Sequence, residues 1–250
     1  MKNISSHQIE ESLRDFLKGS VWVRGLTAPQ MDRVRRDVTA QAYPSGATVL
    51  AAGTPSNHWV GVVDGMLKVE TVTPEGNSAT FAGVPAGAWL GEGAVLKGEL
   101  RPYTVVAIRD SVVATMPRTT FMWLLAESHP FALWMIQQLN SRLGYYVALV
   151  QSFRLNNTTK QVAFCLAELF NQNLYPTARN QVAISQEEIG RLSGVSRTVA
   201  NRALRELHHR GVIRMGYGTI EVVEMAALDE LAHGAFDAAS PRSLASSADA

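Results

Sequence analysis

The chain has 250 residues, a formal net charge of +1, and 46% apolar against 18% charged residues. That composition gives a folded polypeptide with apolar material for two domains and excludes collagenous and disordered classes. The one cysteine, Cys165, excludes a disulfide framework and an iron–sulfur cluster held by cysteines.

The opening MKNISSHQ is polar, and no apolar run approaches ~18 residues. Neither a signal peptide nor a membrane span is expected, so the cytoplasm follows, with no membrane partner. In residues 7–18, Ile9, Leu13, Phe16 and Leu17 share one helical face. Residues 1–25 therefore read as a helical lead-in packing on the next domain.

From 26 to about 130 the pattern changes. After a short helix near 29–38, turn signals follow at close intervals: Pro44-Ser45-Gly46, Gly53-Thr54-Pro55, Asp64-Gly65, Pro74-Glu75-Gly76-Asn77, Pro85-Ala86-Gly87 and Asp110-Ser111. Short apolar runs lie between them, at 59–63, 67–72 and 105–108. Many short strands with regular turns indicate an antiparallel β jelly-roll or barrel, and the fold class is α+β. A cupin-like metal site would need clustered His, yet of the six His only His58 lies in this region and no H-x-H pair occurs there. A haem-ligand role for His58 stays open beside a structural one. No nucleophile elbow or P-loop is present, so neither catalysis nor a metal site is expected.

A short helix over 119–127 ends before Pro130, and residues 131–156 read as one long helix. Ile136, Leu139, Leu143, Tyr146, Val150 and Phe153 are spaced 3, 4, 3, 4, 3. That is a seam asking for a partner helix, which makes this the dimerisation helix of a homodimer. The other reading is an amphipathic helix lying on its own barrel. Residues 156–159 look like a hinge and cap before a helix at 160–173, in which Cys165 is a core residue. Residues 229–250, Ala/Ser-rich at the end, read as a flexible tail.

Residues 185–211 form two short helices joined by a tight turn. Ser185 and Glu188 have capping-box spacing, and Ser193-Gly194 breaks the first helix. Ser196 caps the second, along which Val199, Ala203, Leu204 and Leu207 recur at helical spacing until Gly211 stops it. Facing away from that stripe lie Arg197, Thr198, Asn201 and Arg202, with Arg205 one turn on. Two Arg, an Asn and a Thr on the first turns of a sharply started helix suit base edges in a major groove. Between 185 and 215 six Arg stand against three Glu, the footprint of a module that binds a polyanion such as double-stranded DNA. Residues 212–215, Gly216-Tyr217-Gly218 and 219–223 add a β-hairpin wing, with Arg214 and Tyr217 near its tip.

This segment resembles the winged helix-turn-helix of the CRP/FNR family of bacterial transcription regulators, whose recognition helix opens S-R-E-T-V-x-R. Ser196, Arg197 and Arg202 hold the family's places, Thr198 stands where the family has Glu, and Ser185 matches a phosphate-contacting residue. The resemblance runs from about 26 to 223. It implies a cyclic-nucleotide-binding-like effector domain over 26–130, a dimerisation helix over 131–156 and a winged helix-turn-helix over 157–228. It further implies a homodimer on two-fold DNA with half-sites ~34 Å apart, and RNA polymerase as a partner. In the barrel Gly91, Glu92, Gly93 and Arg101 resemble the family's cyclic-nucleotide cassette, with Tyr146 above the pocket. The other reading of these residues is structural: Gly91 and Glu92 keep a tight turn, and Arg101 is solvated or ion-paired. Pro102 replaces the cassette's Ser, removing a hydroxyl and an N–H, and Tyr146 and Val147 replace adenine-contacting positions. These departures weigh against cAMP as the effector and leave a different small molecule in the same pocket. The alternative function is a cyclic-nucleotide-binding sensor acting through protein contacts, against which the Arg-bearing, doubly capped helix argues.

Overall fold

The computed structural model describes residues 5–72, 78–154, 157–172, 174–175 and 180–233. The chain divides into two compact units, one of Met1–Ala148 with Leu169–Arg179 and one of Leu149–Glu168 with Asn180–Ala250.

In the first unit, α1 (Ser6–Gly19) starts at a reciprocal cap between Ser5 and Gln8. A 3-10 turn, Val21–Gly25, follows, and then α2 (Ala28–Asp37), capped by Thr27 and Gln30 with Pro29 in its first turn. Eight strands come next: β1 (Thr39–Tyr43), β2 (Thr48–Leu50), β3 (His58–Asp64), β4 (Met66–Val72), β5 (Ser78–Pro85), β6 (Trp89–Leu90), β7 (Thr104–Ala107) and β8 (Ser111–Pro117). They pair antiparallel in two four-stranded sheets, ordered β1-β8-β3-β6 and β2-β7-β4-β5. The expected turn at 74–77 falls outside the described residues. At Asp64-Gly65 the expected turn is made, and glycine is required there: φ is +97° and a Cβ would lie 2.6 Å from the Ser111 Cα.

Alternation along the strands sorts residues into two cores. Val60, Val62, Leu67, Val84, Leu90 and Val105 fill the space between the sheets. On the outer face of the first sheet, Trp59 and Trp89 stack at 4.2 Å, with Trp22 edge-on to Trp89 at 5.5 Å. Each such aromatic pair adds about 0.5–1.5 kcal/mol beyond the area it buries. The same cluster takes in Phe16 and Leu17 of α1, Phe121 of α4 (Arg118–Glu127), and Phe131 and Met135 of α5 (His129–Arg154). Pro130, expected to precede the long helix, lies in its first turn, where its missing N–H costs no hydrogen bond. A six-residue helix, α3 (Glu92–Lys97), interrupts the strands after β6.

The second unit holds α6 (Thr158–Leu169) up to Glu168, with the Asn157 side chain capping the Lys160 amide. This helix stops four residues short of the expected 173: Leu174 and Tyr175 both donate their amides to the Asn171 carbonyl, closing a turn instead. Next come β9 (Gln181–Ala183), α7 (Gln186–Leu192), α8 (Arg197–His209), β10 (Ile213–Met215) and β11 (Thr219–Val222). The hairpin expected at 212–223 is present, and β9 adds a third strand to it, in the order β10-β11-β9. The expected tail at 229–250 begins too early, because α9 (Met225–His233) runs through it with Leu228 and Ala232 buried. The rest of that stretch lies outside the described residues.

Candidate nucleic-acid interface and effector pocket

The helix-turn-helix begins at Ser185, whose Oγ accepts the Glu188 amide at 3.1 Å. The Glu188 carboxylate takes Arg191 at 2.9 Å. After α7 the chain turns through Ser193 and Gly194, the latter at φ +67°. Gly190 makes the turn tight: a Cβ there would lie 2.9 Å from the Val195 carbonyl and 3.4 Å from the Arg197 amide. At α8 the Ser196 Oγ accepts the Val199 amide at 3.3 Å. Because both hydroxyls serve as acceptors, each keeps its proton to donate elsewhere.

The buried face of α8 is Ala200, Ala203, Leu204 and Leu207; Val199, expected in that stripe, is half-buried and Ala200 takes its place. Arg197, Thr198, Arg202 and Arg205 are exposed and, with Asn201, line one open depression. Asn201 is not wholly free: its amide donates to the Gln186 side chain of α7, tying the two helices together.

Charge is sorted across this module. Arg191 pairs with Glu187 and Glu188, Arg210 with Glu206, and Arg214 with Glu221. Among the described residues Arg197, Arg202 and Arg205 have no ion pair, so the local excess of positive charge is concentrated on one face of α8. On the wing Arg214 is thus neutralised at 2.7 Å, while Tyr217 at the tip is 105% exposed.

In the barrel, Gly91 precedes α3 at φ +91°, a left-handed conformation suited to glycine. Glu92 is buried and pairs with Arg142 of α5, which also donates to the Trp89 carbonyl. Arg101 is neither solvated nor ion-paired, contrary to that structural reading. Only 3% exposed, it donates Nη2 to the His58 carbonyl at 2.8 Å. Its Nη1 is buried without a protein partner, 3.3 Å from where a Gly91 Cβ would sit. Gly93 is exposed, and a Cβ there would meet no protein atom within 4 Å, so close packing does not demand glycine. His58 is exposed at the start of β3, and no cluster of three metal-ligating side chains gathers among the described residues.

The cassette suits a cyclic nucleotide only in part. The orphaned Arg101 Nη1 is a donor fit for an anionic oxygen. Pro102 adds no donor, and Glu92 is already committed to Arg142. Tyr103 nearby has its phenol pKa raised, by burial first and then by the Glu92 charge. Arg142 escaped the sequence reading. Its signal was a second period along the long helix, in which Phe131, Met135, Gln138, Arg142 and Tyr145 are spaced 4, 3, 4, 3, a stripe laid against its own barrel.

That stripe leaves the other face of α5 bare. Ile136 and Leu143 are 64% and 63% exposed, and Leu139, Tyr146 and Val150 are exposed beside them, with Leu133 and Val147. The Phe153 side chain lies outside the described residues. The helix therefore lies on its own barrel by one face, and the residues of the expected seam stand on the other. Burial pushes the Cys165 thiol up to about 12, so it is protonated and unreactive at neutral pH.

A β jelly-roll of cyclic-nucleotide-binding type followed by a winged helix-turn-helix defines a two-part transcription regulator. The cyclic nucleotide-binding domain model matches residues 40–128 and the Crp-like helix-turn-helix domain model residues 160–231. The chain is 27% identical to the Cyclic AMP receptor protein of Thermus thermophilus over 218 residues, 87% of this chain and 99% of that one. It is also 27% identical to the transcriptional regulator SdrP of the same organism, over 81% of this chain and 96% of that one. Among solved structures, FixK2 from Bradyrhizobium japonicum shares the fold at a TM-score of 0.65 and 19% identity, covering 78% of this chain and 96% of that one. A CRP/FNR-family regulator from Thermus thermophilus does so at 0.55 and 24%, covering 78% and 98%. The chain belongs to the CRP/FNR family of transcription regulators.

Proposed function

We propose that two copies of this chain associate through the bare face of α5 and grip a two-fold DNA site, one α8 in each major groove, in the cytoplasm. Arg197, Thr198 and Arg202 read base edges. Ser185, Ser196 and Arg205 hold phosphates, the serines through the protons their caps leave free. Asn201 stiffens the helix pair and offers its carbonyl oxygen to a base. The barrel senses a small effector other than cAMP, with Gly91, Glu92, Arg101 and Tyr146 around the site. RNA polymerase is the further partner, as the family resemblance implies, and the chain catalyses nothing.

The observation that supports this reading is the charge sorting. In a module where the other arginines from 185 to 215 are neutralised by Glu, the three without ion pairs share the exposed face of α8. Solubility alone gives no reason for that arrangement, whereas a polyanion does.

The test is anisotropy on a random duplex across salt from about 50 to 200 mM. Binding should weaken steeply, and each phosphate-contacting Arg replaced by Ala should lower the log–log slope by about 1 per chain. In a selection from random duplexes, Arg202→Ala should flatten preference at one base pair per half-site, a loss of about 1–3 kcal/mol of discrimination. A salt-insensitive protein would instead be a sensor working through protein contacts.

A further inference from the structure

Resting on the reading of the barrel as the effector-sensing part, one stretch needs its own account. The barrel unit contains Leu169–Arg179, although the chain before it, in α6, and after it, in β9, belongs to the other unit. Within that stretch Leu174 and Tyr175 are each only 4% exposed and join the core between the two sheets, with Val62, Leu67, Val84 and Leu90. The Tyr175 hydroxyl donates to the Gly83 carbonyl of β5 at 3.3 Å. On α5 the neighbouring Tyr145 hydroxyl donates to the Phe81 carbonyl at 3.0 Å. The Tyr175 phenol also lies within electrostatic range of Arg142, the residue that neutralises Glu92. Leu174 lines a narrow cavity with Gly87, Trp89, Trp134 and Gln138.

Leu174 and Tyr175 thus wedge between β5 and α5, beside the Glu92–Arg142 pair. A ligand entering beside that pair meets this wedge first. We propose that Leu174–Tyr175 is a tethered occupant of the effector site, so that effector and Tyr175 ring compete for the same apolar surface beneath β5. Binding then releases a segment directly continuous with the DNA-reading unit. A site filled by its own chain shows a foreign ligand an affinity reduced by the fraction of time it stands open.

The test uses the full chain by calorimetry, with cAMP as a weakly bound stand-in for the effector, since the Arg101 Nη1 still offers its anionic oxygens a donor. Tyr175→Ala should bind cAMP at least about tenfold more tightly than the unsubstituted chain, and Tyr175→Phe, which keeps the ring and loses the hydroxyl, no more than about threefold. In the unsubstituted chain, saturating cAMP should speed amide hydrogen exchange at Leu174 and Tyr175, a readout independent of any variant's folding. Tyr175→Ala binding cAMP no tighter, or not at all, overturns the proposal; so does unchanged exchange at those amides. Arg101→Ala separates the two levels. If it abolishes cAMP binding while Tyr175→Ala leaves binding unchanged, the pocket stands and the tethered occupant falls. If it leaves cAMP binding untouched, the pocket assignment itself has failed.

Discussion

At the scale of single residues, the Glu92–Arg142 pair has the most to lose. Both side chains are largely out of water, and the guanidinium also satisfies the Trp89 carbonyl. Burying two charges is expensive, and their attraction with added hydrogen bonds offsets the cost only while both are present. Arg142→Ala leaves a buried carboxylate uncompensated and should destabilise the barrel unit by about 3–5 kcal/mol. Pairing it with Glu92→Gln should recover most of that loss. Denaturant melts followed by tryptophan fluorescence check both, since Trp22, Trp59 and Trp89 report on this unit, and equal stability of Arg142→Ala and the unsubstituted chain would refute the argument. This pair also marks where the sequence stops being readable. Arg197 and Arg202 are visible from helical spacing and caps a few residues away. Arg142 finds Glu92 fifty positions back, and only the packing of α5 on the barrel brings them together.

At the scale of elements, α5 carries two faces with different fates. Phe131, Met135, Gln138, Arg142 and Tyr145 meet the barrel, while Leu133, Ile136, Leu139, Leu143, Tyr146, Val147 and Val150 stay exposed. An apolar stripe of that length rarely faces water in a stable protein, and its spacing suits a second copy of the same helix. Leu143→Glu places a charge in the middle of the seam, opposite its own image in a two-fold pair. Because Leu143 touches little of its own chain, the barrel should keep its stability while sedimentation equilibrium shifts from twice the single-chain mass to one. A dimer surviving that substitution would move the interface elsewhere. That exposed stripe was legible because its period is local. The end of α6 was not, since the turn at Asn171 and the burial of Leu174 and Tyr175 depend on the barrel core, and local propensity favoured continuing the helix. Strand β9 was hidden for the same reason: three residues carry too short a period to read, and only pairing with β11 defines them.

At the scale of the whole molecule, the proposed two-fold duplex recognition requires two α8 helices at a fixed separation, which one chain cannot supply. Three unneutralised arginines per module are a modest electrostatic grip, and each module alone should bind a half-site weakly. The proposed pair adds the two contributions only where both grooves face the same side of the duplex, one helical turn of about 10 base pairs apart. An operator recovered by selection should therefore be an inverted repeat with that spacing. Inserting about five base pairs at its centre turns the second half-site to the opposite face, half a helical turn away. Affinity should then fall at least tenfold, to that of a single half-site, in a mobility-shift titration. On the intact operator, Leu143→Glu should give the same reduced affinity, because losing the partner and losing its half-site remove the same contacts. Equal binding to the intact and the expanded operator would mean that each module acts alone.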